Sequence, residues 1–215
     1  MTTKNLNDVL LLIPCCASKS GRGRAPAVES VLGESYLSSP AGALLEEGWR
    51  MVAEKYPDRF DLGSALLPAT QWYTGNPYKM HGFRERLDTA FDRGLHCLIV
   101  SAGYGLLRPD DPIHYYDLPM SKTLNIWKQR LPDILADYVT RNGIRQVFGS
   151  LSHQYYDAVG GVTARLPGLK CHWCVPHHPR GAPGSAMQEV PKAVGQAVID
   201  LIASDFKPDS RWSRG

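Results

Sequence analysis

The chain has 215 residues, enough for one domain of ordinary size, and its 43% hydrophobic and 21% charged residues are those of a soluble globular protein. A formal charge of +3 does not demand a polyanionic partner, and five cysteines scattered through apolar runs argue for a reducing cytoplasm rather than a disulfide framework. The apolar run at 9–13 is too short for a membrane span or an ordinary secretory signal, so neither membrane association nor secretion is expected.

In chain order, short apolar runs alternate with amphipathic stretches. "DVLLLIP" (8–14) reads as a buried strand and runs into the small, polar, basic segment "CCASKSGRGR" (15–24), in which residues 19–24 carry three positive charges and no acid. Helical spacing follows over 39–56, with Ser39 before Pro40 as an N-cap and a proline at the first helical position. "GSALLPA" (63–69) reads as a second strand, and 77–93 as a helix closed by Gly94. "LHCLIVSA" (95–102) is the third strand, and a helix over 122–142 closes at Gly143. "IRQVFGS" (144–150), a helix over 152–165, "LKCHWCVP" (169–176) and a helix over 185–205 complete the pattern. The basic tail 207–215, "KPDSRWSRG", is expected to be flexible. This alternation predicts one three-layer α/β/α domain over 1–206 with a mainly parallel central sheet. Ligand clefts in such sheets lie beyond the carboxyl ends of the strands, so the strand-end loops are where chemistry is expected.

After the first strand, Ser18, Lys19, Arg22 and Arg24, made pliable by Gly21 and Gly23, offer cations and backbone N–H groups to a phosphate. The spacing is not that of a P-loop, and a solvated basic loop is the competing reading. Cys15 or Cys16 beside Lys19 also suggests a cysteine enzyme, but no general base is placed for it. After the third strand, "SAGYGLLRPDDPIHYYD" (101–117) puts two glycines around Tyr104, which predicts a tight turn that displays an aromatic ring. Asp110, Asp111 and Asp117 then stand near Tyr115 and Tyr116; a carboxylate beside a stacking ring can activate water against a sugar carbon or hydrogen-bond a base. Pro109, Asp110 and Pro112 also read as plain turn formers. After the fourth strand, "GSLSHQYYD" (149–157) has Ser150 or Ser152 as an N-cap and His153 in the first turn. After the fifth, "CHWCVPHHPRGAPGSAMQEV" (171–190) pairs a C-x-x-C with His177 and His178. On a strand, Cys171 and Cys174 point to opposite faces, so no metal is expected. The loop "HHPRGAPGS" instead offers imidazole, Arg180 and glycine-rich backbone before a helix N-terminus, which suits an anion or an oxyanion developing on a base.

With "CCASKS" and "APA" upstream, "SAGYGLLRPDDPIHYYD" resembles a bacterial and phage domain family described as YaaA-like, over roughly residues 9 to 150. That family carries Cys-x-x-x-Lys after its first strand and a Ser-Ala-x-Tyr-Gly-Leu-Leu-x-Pro-Asp…Tyr-Asp signature. The first segment is also similar to the Cys-Ser-x-x-Lys loop of the uracil-DNA-glycosylase-like domain of archaeosine synthase. "CHWCVPHHPRGAPGS" is similar to the strand–His-Pro-Ser loop of uracil-DNA glycosylases, with His178 and Pro179 in the His-Pro places and Arg180 where the serine belongs. The glycosylase Gly-Gln-Asp-Pro-Tyr motif is missing, which moves the expected carboxylate to Asp117.

Together the resemblances imply a uracil-DNA-glycosylase-like fold and a DNA glycosylase that excises a modified base from DNA, leaving an abasic site; an antiphage enzyme acting on phage DNA fits the outline. On that reading Asp117 and His178 are catalytic. Cys16, Ser18, Tyr104, Tyr116 and His153 bind the flipped base, and Lys19, Arg22, Arg24, Ser150 and Arg180 hold phosphates. No metal or other cofactor and no obligate protein partner is expected; the partner is DNA. The competing functions are a non-catalytic nucleic-acid or nucleotide-binding module, and a nucleobase-modifying enzyme acting on tRNA.

Overall fold

The structure, a computed structural model, describes residues 5–20, 36–176 and 186–214. Its elements in chain order are β1 (Val9–Pro14), α1 (Ser39–Lys55), β2 (Phe60–Asp61), β3 (Leu67–Pro68), α2 (Ala69–Trp72), α3 (Phe83–Phe91), β4 (His96–Ser101), β5 (Gly105–Leu107), β6 (Pro112–Ile113) and β7 (Tyr115–Tyr116). Then follow α4 (Met120–Trp127), α5 (Leu131–Arg141), β8 (Gln146–Ser150), α6 (His153–Val159), α7 (Val162–Arg165), β9 (Lys170–Cys174), α8 (Ala186–Ala203) and β10 (Ser213–Arg214). All six residues of β1 are buried, as a strand covered on both faces requires.

The main sheet runs β10-β9-β8-β1-β4-β5. β1 pairs in parallel with β4 and β8, with Leu12 opposite both Leu98 and Gly149, and β8 pairs in parallel with β9. The two edges, β5 and β10, are antiparallel. The mainly parallel sheet between helices is therefore the expected one, with short edge strands that the apolar runs do not announce.

Several expectations change: the helix over 77–93 begins only at Phe83, and that over 152–165 divides into α6 and α7 at Gly160 and Gly161. The segment 63–69 stays out of the main sheet; only Leu67–Pro68 is extended, pairing with Pro112–Ile113, because a proline cannot donate to a central ladder. The stretch 122–142 divides into α4 and α5. Pro132, which would break a continuous helix, falls in the first turn of a new one, where its missing N–H costs nothing. The tail read as flexible supplies β10, opposite His172 and Trp173, and Trp212 is buried edge-to-face with Phe148, ring centres 5.6 Å apart. Capping is close to expectation. Ser38, one residue earlier than Ser39, caps α1 by accepting from Ala41 N at 3.4 Å, and Gly94 and Gly143 take positive φ just past α3 and α5. Among the described residues no helix is long and apolar enough to cross a membrane.

Candidate functional site

At the carboxyl end of β1 the chain holds to the sheet for one more residue, since Cys15 N donates to Val100 O at 2.9 Å, and then turns away. Loop 16–20 is laid against 72–75: Thr74 N donates to Ser18 O at 3.1 Å, Ser20 N donates to Trp72 O at 3.1 Å, and Lys19 bridges to Tyr73. Arg84 on α3 fixes the second of these segments. Its guanidinium donates to the carbonyls of Thr70, Tyr73 and Tyr78 at 2.9, 2.6 and 3.2 Å.

These contacts assemble a cluster of hydroxyls and thiols under one cation. The Tyr116 hydroxyl lies 2.9 Å from both the Tyr73 hydroxyl and Ser101 Oγ, and Cys15 Sγ lies 3.1 Å from the Tyr155 hydroxyl. Lys19 Nζ sits 4.0 Å above the centre of the Tyr116 ring and donates to Cys16 O at 2.9 Å. No carboxylate pairs with Lys19 among the described residues. Burial pushes Tyr73, Tyr116 and Tyr155 well above the usual phenol range, so the network stays protonated and neutral. Burial likewise pushes the Cys16 thiol up to about 11, against the smaller opposing pull of the Gly75 N–H. A thiolate nucleophile at Cys16 is therefore disfavoured.

The Gly-Tyr-Gly turn buries its ring instead of displaying it. A Cβ on Gly103 would come 2.8 Å from the Tyr116 ring, and Gly105, at φ +80°, has Trp127 and Leu45 where a side chain would be. Tyr104 is 3% exposed; its hydroxyl accepts from His114 N at 3.2 Å, and its face lies near that of Trp49. Tyr116 is covered by Phe60 on one side, with Lys19 also over its ring. Neither tyrosine presents a free face on which a base can stack.

Of the residues expected at the site, the structure brings together Cys16, Ser18, Lys19 and Tyr116. Asp117 is not with them. It follows Tyr116 but is exposed, lies 3.6 Å from Arg59, and lines a surface hollow with Tyr56 and Lys122. His153 is exposed and pairs with Asp157 at 3.2 Å, while the buried Ser150 gives its hydroxyl to Val194 O at 2.9 Å. Asp111 is buried, accepting from the Tyr36 hydroxyl at 2.6 Å and from Arg108 N at 2.8 Å, and burial raises its carboxyl above the usual range. Asp110 is exposed beside Arg108. His178, Arg180, Arg22 and Arg24 lie outside the described residues. Sequence reasoning missed Tyr73, Tyr155 and Arg84. Tyr73 and Arg84 belong to no strand-end loop, and only Tyr155, in the segment after the fourth strand, stood inside a stretch already singled out.

Two hollows lined by described residues lie away from this cluster: about 780 Å³ at the amino ends of β8 and β9, and about 630 Å³ outside β4. The strand-end cluster is nonetheless where the described residues place an unpaired cation against reactive side-chain types. No protein-family profile and no curated protein matches the chain. The crystal structure of AF0587, a protein of unknown function, is similar at 11% identity with a TM-score of 0.31; the match covers 94% of this chain and 46% of that one, so this chain spans less than half of its length. A likeness at that level carries no argument about fold or chemistry.

Proposed function

We propose that the chain is an N-glycosidase that releases a modified nucleobase from DNA, working at the carboxyl edge of β1 and β4 in a uracil-DNA-glycosylase-like fold. One observation carries the reading: the half-buried Lys19 ammonium, held against the Tyr116 ring with no acidic partner among the described residues. A cation so placed favours an anion from outside, either a backbone phosphate or the departing base. In the reaction the bond from the sugar C1′ to the base nitrogen breaks and its electron pair leaves with the base; water adds to C1′, and the proton it loses ends on the released base nitrogen. Lys19 stabilises the charge that the base acquires. The motif resemblances supply the reaction class, and action on phage DNA in antiviral defence belongs to the same reading.

A second reading, a nucleic-acid-binding module without chemistry, is favoured by one observation: among the described residues no carboxylate stands in the cluster, and Asp117 is turned to solvent beside Arg59. Incubation with DNAs bearing different modified bases, followed by detection of abasic sites, separates the two. Lys19→Met keeps the length and removes the charge, and is expected to slow single-turnover base release by about 100-fold or more. Asp117→Asn is expected to leave release within about fivefold of wild type, since a solvated surface pair contributes little. Release unaffected by Lys19→Met would remove the site assignment. Tight DNA binding with no abasic product from any modified base would leave the binding module.

A further inference from the structure

β5 covers only half of β4. It pairs with Ile99–Ser101 and ends at Leu107, so among the described residues His96–Leu98 have no strand neighbour on the outer side. Val100 O points to β1, where it accepts from Cys15 N, and the register turns Ile99 and Ser101 toward β5. By alternation the N–H and C=O of Cys97 also face outward, past the end of β5. Neither has a hydrogen-bond partner among the described residues. In their place lies the hollow of about 630 Å³, with Cys97 and Leu87 on its lining and Phe91, Tyr138, Tyr36 and Arg108 around them.

The polar tips of these walls are already engaged. The Tyr36 hydroxyl is on Asp111, the Tyr138 hydroxyl is on His96 Nδ1 at 2.9 Å, and the Arg108 guanidinium lies 4.9 Å over the Tyr36 ring and pairs with Asp110 and Asp111. What remains on offer is the apolar surface of Leu87, Phe91 and Leu95, one backbone donor beside one backbone acceptor, and the Asp88 carboxylate and Asn142 amide among the lining residues. The volume falls within the roughly 300–1,000 Å³ of small-molecule sites.

We propose that this cavity binds a planar nitrogen heterocycle of the nucleobase class, pairing an adjacent donor and acceptor with Cys97 C=O and N–H. An extended peptide adding as a strand is the poorer fit, because a single residue faces outward between α3 and α5. The site is separate from the Lys19 cluster at the other end of β4 and does not depend on base release.

The test follows backbone amide NMR signals of the wild-type chain during titration with uracil, adenine and 1,3-dimethyluracil. Uracil or adenine is expected to shift Cys97 together with Phe91 and Tyr138, and dimethyluracil, whose N–H groups are blocked, to bind about tenfold more weakly than uracil. Leu87→Trp, which fills the cavity, is expected to abolish the shifts. Shifts confined to Ser18, Lys19 and Ser101, no shift at saturating base, equal binding of the methylated base, or a response at Cys97 to extended apolar peptides alone would each overturn the assignment.

Discussion

Tyr116 carries more of the strand-end cluster than any other side chain. Its hydroxyl joins those of Tyr73 and Ser101, Lys19 rests over its ring, and Gly103 is a glycine because that ring lies so close. Tyr116→Phe keeps the ring but removes the partner of the buried Tyr73 hydroxyl and one of the two bonds of Ser101 Oγ, which still accepts from Tyr104 N; the loss costs about 1–3 kcal/mol. Urea denaturation is expected to show that loss; on the proposed function, DNA affinity is expected to stay near wild type because the face under Lys19 remains. A large fall in affinity at unchanged stability would mean that the hydroxyl itself meets the ligand. Of these features the sequence showed the strand-end position of Lys19 and the glycines around Tyr104. It did not show that Tyr104 turns inward, because ring burial depends on Trp49 in α1 and Phe60 in β2, both distant in the chain.

Among the elements, the parallel core β9-β8-β1-β4 follows from apolar runs that admit hardly any polar position, and its strands lie within a residue or two of where periodicity predicts them. The edge strands follow from something else. β10 has two exposed residues and no apolar pattern; it is held because Trp212 packs on Phe148 and Arg211 pairs with Asp200 at 2.8 Å. Trp212→Ala is accordingly expected to lower stability by about 3 kcal/mol in urea denaturation and to expose the amide of Trp173, which faces β10, to faster hydrogen exchange. A tail without a tertiary role would leave both measurements unchanged.

For the whole molecule, buried ionisable groups set opposing pH dependences. Burial raises the carboxyl of Asp111 in the folded chain, so between its unfolded value of about 3.9 and its higher folded value the native state holds more protons, and stability falls as pH rises. Burial lowers His96 and His172, so below the unfolded value of about 6.5 the unfolded state holds more protons, and their contribution is lost as pH falls. Asp111→Asn removes the first dependence alone. The stability of the variant minus that of wild type is expected to increase as pH rises above about pH 4, in urea denaturation at a series of pH values. A constant difference would mean that Asp111 titrates alike in both states. The sequence by itself determined the layered α/β order, the parallel core and the edge at which Lys19 stands, because those depend on hydrophobic period and on turn residues local to the chain. Tertiary structure alone decided that Asp117 faces Arg59 while Tyr116 faces inward, that Arg84 clamps the loop beneath Lys19, and that β5 stops short beside Cys97. Each of these depends on contacts between segments far apart in the chain, which no local pattern encodes.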